Sequence, residues 1–521
     1  MVAASPYRPP STRTAVVLAV LAVVAAALGT LVLVRADDGL TTRQVTVGGV
    51  PMTEVRAGQP TPGVRRPGVV IAHGFAGSAR LMRPIADTVA RRGAVALLFD
   101  FAGHGANPAR LTSSAGDPSA ATLAADLDAA VAHLRSQPDV DADGIVLVGH
   151  SMGAGAVTRY AVEHPEIVRT VAISLPDAGE LPPGRPAELL LIVGGAEFPG
   201  FRRAVDEAIR RGGRAADRRS AVVVPGVEHI SVLFASRTHE EIAAWLPGGD
   251  GPTRPRPTAR LTGAALLLLA FGIGVVPLAA LLLPRRGSGR RSTALSPGDA
   301  APPTGRAPRD GLLLLGLAVV AAGIGAVGAA VLPTTRLPLA VGGYVTGFLL
   351  VTALLLAVGR RLPGLSTAKS APGPADARSG LTPARLVVAT LALTGYAVLA
   401  VALPIHLGLT SALPVGARWW LLPVVAAACL LFLLSVELVV AGRALRHLLV
   451  VGVTVLVLVA AALVGVAPGF VLLVVPLFAV LLGWQVAWAT VLRRYASPWW
   501  LPAVLGAALV GWPIATTLPL S

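Results

Sequence analysis

Ile145-Val146-Leu147-Val148-Gly149-His150-Ser151-Met152-Gly153 is the stretch that decides how this chain folds. Four aliphatic residues in a row suit a strand buried on both faces. The Gly-x-Ser-x-Gly pentapeptide after them suits a sharp strand-to-helix turn, and residues 152–164 continue with a helical pattern. A serine at such a turn is held clear of the sheet with its hydroxyl exposed. The flanking glycines avoid clashes where the chain turns tightly. Such a pentapeptide also arises by chance in a Gly-rich chain, so the pattern around it carries the argument.

That pattern extends in both directions. Strand-like runs lie at 44–47, 69–72, 95–99, 170–174, 189–193 and 221–224, and helical stretches at 79–92, 119–135, 201–211 and 232–245. Short apolar strands without strict alternation indicate a mostly parallel sheet covered on both faces. Strands alternating with helices indicate a doubly wound α/β domain, here expected over 36–246.

A serine hydroxyl is a weak nucleophile and needs an oriented base. His229 follows the last strand-like run, in Val224-Pro225-Gly226-Val227-Glu228-His229, and is the expected base. The acid that orients it should leave an earlier strand end. Glu197 stands after 189–193, in Gly194-Gly195-Ala196-Glu197, and Asp177 after 170–174 is its rival. An oxyanion needs backbone N–H donors. Met152, directly after the serine, is one expected donor. Phe75, in His73-Gly74-Phe75-Ala76-Gly77, is the other, and His73 reads as a structural loop residue. The chain order is Ser, Glu, His.

On these residues, together with the loop Asp100-Phe101-Ala102-Gly103-His104-Gly105, the segment resembles the α/β-hydrolase superfamily in its broad esterase and dienelactone-hydrolase-like group. The resemblance covers about residues 40–246. It implies the α/β-hydrolase fold, acyl-bond chemistry at Ser151, and no cofactor or metal. The acid is Glu where Asp is commoner, which keeps Asp177 open. Residues 175–188 are too few for a helical cap, so no large lid is expected and the site should be open.

The rest of the chain is of another kind. Over all 521 residues apolar residues make up 54% and charged residues 14%, against about 25% charged in an ordinary soluble domain, and the apolar excess falls outside 36–260. An apolar run at 15–34 reads as an uncleaved anchor, giving residues 1–35 as a cytoplasmic stub and transmembrane segment. A Pro/Gly-rich linker is expected over 247–260. Residues 261–521 read as an all-α membrane domain of about eight spans, with apolar runs near 261–283, 311–332, 338–358, 386–405, 419–440, 447–467, 469–491 and 499–519. Each run is long enough to span a bilayer.

With the N-terminus inside, the basic loops Arg285 to Arg309, Arg360 to Arg385, Arg443 with Arg446, and Arg493 with Arg494 all fall on the inner side. The short outer loops hold only Arg336 and Arg418, which satisfies the positive-inside rule. Residues 36–246 then lie outside the cytoplasm, and the net charge of +16 reports membrane orientation rather than nucleic-acid binding. The single cysteine, Cys429, excludes an internal disulfide and a cysteine-based metal site. Glu437, Gln485 and His406 are polar positions in or beside the spans. Glu437 is expected to reach the interface, two turns from Arg443 and Arg446.

The expected activity is that of a membrane-bound serine hydrolase cleaving an ester, thioester or related acyl bond. Its partners would be the lipid bilayer and an acyl-containing small molecule or a lipid-linked substrate. An acyltransferase or a peptidase would use the same residues. A transporter or lipid-handling protein with a hydrolase-like accessory domain is the reading from another class, because eight spans exceed what an anchor requires. A catalytically dead binding module is a third.

Overall fold

A glycine pair starts the sheet. Gly48 and Gly49 have φ of 59° and 83°, as a two-residue hairpin turn of the primed type requires. They join β1 (Leu40–Val47) to β2 (Val50–Ala57), antiparallel, with Val47 opposite Val50. Six strands follow in parallel: β3 (Arg66–Ala72), β4 (Val95–Phe99), β5 (Val140–His150), β6 (Arg169–Ile173), β7 (Leu189–Gly194) and β8 (Arg219–Val224). The spatial order is β1-β2-β4-β3-β5-β6-β7-β8, with β2 antiparallel to β4. The chain winds one way from β3 to β4 and the other way from β3 to β5. Ligands of doubly wound sheets bind where the order reverses, outside the carboxyl ends of the strands. Here that point brings the loop after β3 beside the turn after β5.

This computed structural model describes residues 9–58, 63–111, 118–179, 181–212, 218–247, 255–285, 307–361 and 381–521. Residues 248–254 of the expected linker lie outside the described residues, as do residues 1–8 and, in the expected basic loops, residues 286–306 and 362–380.

Alternation along the strands sends side chains to two cores. Val69, Ile71, Leu98, Val148 and Ile192 pack with α2 (Arg83–Arg91) and α6 (Ser236–Trp245) on one face. Val70, Leu97, Phe99 and Leu147 pack on the other with α3 (Pro118–Arg135) and α4 (Met152–Glu163). Farther along, Leu189, Leu191 and Val193 meet Val205 and Ala208 of α5 (Pro199–Gly212). Each fully buried aliphatic or aromatic side chain contributes about 1.5–3 kcal/mol relative to exposure.

The structure departs from the sequence reading in identifiable places. β2 was not expected, because Glu54 sits at one of its buried positions and spoils the apolar pattern. It is tolerated there because Arg56 pairs with it and His133 Nε2 lies 2.7 Å from Oε1. α2 begins at Arg83 rather than 79, since the Asp100 carboxylate takes the Ala79 N–H at 2.7 Å and holds the preceding residues in turns. The helix expected over 232–245 is a 3₁₀ turn, Ser231–Phe234, followed by α6.

The chain divides into two units. One comprises Ala27–Leu266, Leu403–Ala417 and Thr516–Ser521; the other comprises Met1–Ala26, Leu267–Ala402 and Arg418–Ala515. The short segments join the sheet-containing unit through hydrogen bonds, a division no composition boundary at 260 could reveal. Ser78 Oγ lies 2.9 Å from Thr410 Oγ1, and Leu520 N donates to the Gly103 carbonyl at 2.7 Å.

Among the described residues, eight helices are long and apolar enough to cross a membrane: α1 (Thr12–Ala36), α7 (Ala259–Leu282), α8 (Ala307–Val331), α9 (Gly342–Gly359), α10 (Pro383–Gly408), α11 (Arg418–Val440), α12 (Ala444–Leu463) and α13 (Val471–Leu492). That is the pattern of a multi-pass membrane protein. The ninth expected run forms the 17-residue α14 (Leu501–Thr517), shortened because Trp499 and Trp500 stay in a turn and 518–521 leave the helix. Glu437 does not reach an interface. It is buried, accepts a hydrogen bond from Arg493 Nη2 at 2.5 Å, and that same nitrogen lies 2.9 Å from His447 Nδ1.

Buried neutral histidines make the sheet-containing unit acid-sensitive, and His239 is one of them. His239 on α6 donates from Nε2 to the Leu233 carbonyl at 2.9 Å and accepts from Thr88 of α2 at 2.7 Å. Burial pushes its pKa down to about 4. The folded state therefore keeps it neutral, while the unfolded chain takes up a proton below about pH 6.5. Its contribution to stability is complete above that pH and is lost as pH falls toward 4, at about 1.4 kcal/mol per pH unit. Thermal unfolding of the purified protein between pH 6.5 and 5 should show at least this slope, and His239→Gln should reduce it by about 1.4 kcal/mol per pH unit. An unchanged slope in the variant would contradict the assignment.

Candidate active site

β5 ends in the sharp turn at Ser151, whose φ of 53° and ψ of −117° are strained for a residue with a Cβ. Surrounding backbone enforces this conformation. Ser151 N donates to the Ile173 carbonyl of β6 at 2.9 Å, and Gly155 N closes the first turn of α4 onto the Ser151 carbonyl at 3.0 Å. A Cβ on Gly149 would lie 2.3 Å from the Gly153 carbonyl oxygen, and one on Gly153 would lie 2.5 Å from that of His73. Both distances are far inside van der Waals contact with backbone that cannot yield. The two glycines of the pentapeptide are thus required by close approach of main chain to main chain.

The Ser151 Oγ that the turn presents lies 3.0 Å from His229 Nε2, and His229 Nδ1 lies 3.0 Å from Glu197 Oε2. His229 and Glu197 are buried; Ser151 is half-buried. The consistent tautomer has Nδ1–H donating to Glu197 and Nε2 accepting from Ser151. The other Glu197 oxygen accepts from Ser174 Oγ at 2.6 Å and from Gly194 N at 2.8 Å, which fixes the carboxylate. Two main-chain bonds zip the loops after β7 and β8 together: Gly195 N to the Val224 carbonyl at 2.7 Å and Ala196 N to the Val227 carbonyl at 2.9 Å. They set Glu197 and His229 in register. Asp177, the rival acid, is exposed and caps its own turn through Gly179 N at 3.0 Å. The geometry thus places Glu197, not Asp177, on His229.

The loop carrying Phe75 reaches the same point. A Cβ on Gly74 would sit 2.8 Å from His150 Nδ1 and 3.0 Å from Ser151 Cβ. Met152 is the first residue of α4, where backbone N–H groups have no intrahelical acceptor. His73 is buried and acts as a tie: its Nδ1 lies 2.8 Å from the Gly74 carbonyl, and its Nε2 accepts from Phe101 N at 3.1 Å. Burial lowers its pKa, which suits a neutral structural ring.

Several residues of the site are missing from the sequence reading. His150 Nε2 donates to the His229 carbonyl at 2.9 Å, while burial and the neighbouring His229 push its pKa down to about 3. It therefore stays neutral and anchors the loop that carries His229. Phe201 of α5 lies against the His229 ring, centroids 4.4 Å apart, and Ser174 carries a φ of 54° to reach Glu197. Nothing in the local pattern marks these residues, because each acts through a neighbour distant in the chain. The rim differs as well. Among the described residues, 175–188 contain no helix, but Leu520 lies on the loop after β4 and accepts from Leu111 N at 3.0 Å.

A hydroxyl bonded to an imidazole that is oriented by a carboxylate is the arrangement of nucleophilic acyl chemistry. Residues 67–216 match the family model described as alpha/beta hydrolase fold. With the strand order above, this part of the chain carries the α/β-hydrolase fold. Two uncharacterized proteins, from two strains of Mycobacterium tuberculosis, are each 31% identical over 32% of this chain. The alignment spans 65% of the length of those relatives. Among solved structures, an esterase from Pyrococcus furiosus is 22% identical, with a TM-score of 0.31 over 40% of this chain and 93% of its own. Esterase 2 of Thermogutta terrifontis, phosphorylated by paraoxon, is 18% identical, with a TM-score of 0.34 over 42% and 97%.

Gly153→Ala tests the packing of the turn. The added methyl must push α4 from the end of β3 and shift Ser151 from His229. The rate of phosphonylation of Ser151 by a fluorophosphonate should fall about 10²-fold, the cost of a misplacement near 1 Å. A rate equal to that of the wild type would contradict the packing argument.

Proposed function

We propose that this chain is a membrane-bound serine hydrolase that cleaves an ester, thioester or related acyl bond on the extracytoplasmic side. The observation that carries the reading is the pair of 3.0 Å contacts linking Ser151 to His229 and His229 to Glu197. Ser151 Oγ attacks the acyl carbon while His229 Nε2 takes its proton. The proton passes to the leaving alcohol or thiol as the bond to the acyl carbon breaks. Water, deprotonated by His229, then attacks the acyl-enzyme and releases the carboxylic acid. Glu197 orients His229 and stabilises it when it is charged. The N–H groups of Phe75 and Met152 hold the developing oxyanion, a role worth about 3–4 kcal/mol per donor where it has been removed in other enzymes.

An apolar substrate is supported by Phe198, which is 56% exposed directly after Glu197, and by Phe201 on His229. The extracytoplasmic side is supported by the arginine pattern of the short loops. Eight helices apolar enough to span are more than an anchor requires, which favours a second reading: a lipid-handling membrane protein whose hydrolase acts on its cargo.

Hydrolysis of p-nitrophenyl acetate by the full chain in neutral detergent tests the reading. Ser151→Ala should lower kcat by about 10⁶-fold or to background, and Glu197→Gln by about 10⁴-fold. Asp177→Asn should stay within about twofold, as expected of an exposed turn residue. Activity that survives Ser151→Ala, or that depends on Asp177 and not on Glu197, would overturn the assignment.

A further inference from the structure

A cavity of about 520 Å³ opens in the sheet-containing unit beside the ends of β2 and β4. Neither Ser151, His229 nor Glu197 lines it. Three guanidinium groups do: Arg80, Arg83 and Arg260. Two of them are neutralised. Arg83 donates to Asp87 at 2.6 Å and Asp37 at 2.9 Å, and Arg260 donates to the same two carboxylates at 2.9 and 2.6 Å.

Arg80 is different. Among the described residues it forms no ion pair, and its one hydrogen bond runs from Nη1 to the His406 carbonyl at 3.2 Å. Asp100 is the carboxylate that attracts it, but both Asp100 oxygens are taken by backbone, from Ala79 N at 2.7 Å and Ala106 N at 2.8 Å. Burial and the repulsion of Arg83 and Arg260 lower the Arg80 pKa. A half-buried guanidinium with four N–H donors to spare, two like charges nearby and no direct ion pair can still take an anionic oxygen. The cavity beside it supplies the room for one. The lining also includes the aliphatic side chains of Leu407, Leu413 and Val415.

We propose that this cavity binds an amphiphile with an anionic oxygen head, a phosphate or carboxylate on an alkyl chain, with the head on Arg80 and the chain against Leu407, Leu413 and Val415. Charge-assisted bonds from the guanidinium hold the head, and burial of methylene groups adds about 0.8 kcal/mol each. The site is separate from Ser151 and does not rest on the hydrolase reading. The head could come from a membrane lipid or from a soluble anion, and the chain length of the probe separates the two sources.

Titration calorimetry of the full chain in a neutral maltoside detergent tests the proposal, with dodecyl phosphate and inorganic phosphate as probes. Saturable binding of dodecyl phosphate is expected, weakened about tenfold or more by Arg80→Gln and largely restored by Arg80→Lys. Leu413→Trp, which fills the cavity without touching a charge, should weaken it as well and guards against a folding defect in the Arg80 variant. Failure of excess inorganic phosphate to compete assigns the head to a lipid; competition assigns the same site to a soluble anion. Absence of saturable binding to the wild type, or equal binding by wild type and Arg80→Gln, would overturn the proposal.

Discussion

Main chain packed directly on main chain at Ser151 is the constraint on which the rest of the site depends. The turn after β5 is pressed between the ends of β3 and β6, so closely that Gly74, Gly149 and Gly153 have no room for a Cβ. The strained φ of 53° at Ser151 costs on the order of 1–3 kcal/mol and persists because the strands on either side over-determine it. That strain aims the hydroxyl outward at the reversal point of the sheet. Every other feature of the site meets it there: the Phe75 loop from β3, Glu197 from β7 and His229 from β8.

Positioning of the acid and base follows from ordinary sheet geometry. β7 and β8 pair in parallel up to Gly194 opposite Val224, and the loops continue that pairing for two further hydrogen bonds. Glu197 is buried, and each of its oxygens has a donor: Ser174 and Gly194 on one, His229 on the other. A buried carboxylate is tolerable only when it is satisfied in this way. Neutral buried rings, His73 and His150, tie the loops together without adding charge.

Much of this was legible in the sequence, for physical reasons that can be named. The pentapeptide encodes a turn that only glycines permit, and unbroken aliphatic runs encode strands covered on both faces. Residue order along the chain then placed Glu197 and His229 at successive strand ends. β2 was hidden because the charge of Glu54 is compensated by Arg56 and His133, partners that a local window does not reveal. The hydrogen bonds of Leu403–Ala417 and Thr516–Ser521 to the sheet-containing unit were hidden because they involve main chain and small hydroxyls, which carry no signature of composition. Glu437 read as a snorkelling residue because its partner, Arg493, is distant in the chain.

The measurement that tests the central claim most directly is the location of a covalent adduct. The full chain would be treated with diisopropyl fluorophosphate, digested, and mapped by mass spectrometry. The account predicts one diisopropylphosphoryl group, on Ser151, because among the described serines its hydroxyl is the one bonded to an imidazole that a carboxylate orients. An adduct on a different residue, or none on protein shown to be folded by its thermal transition, would contradict it.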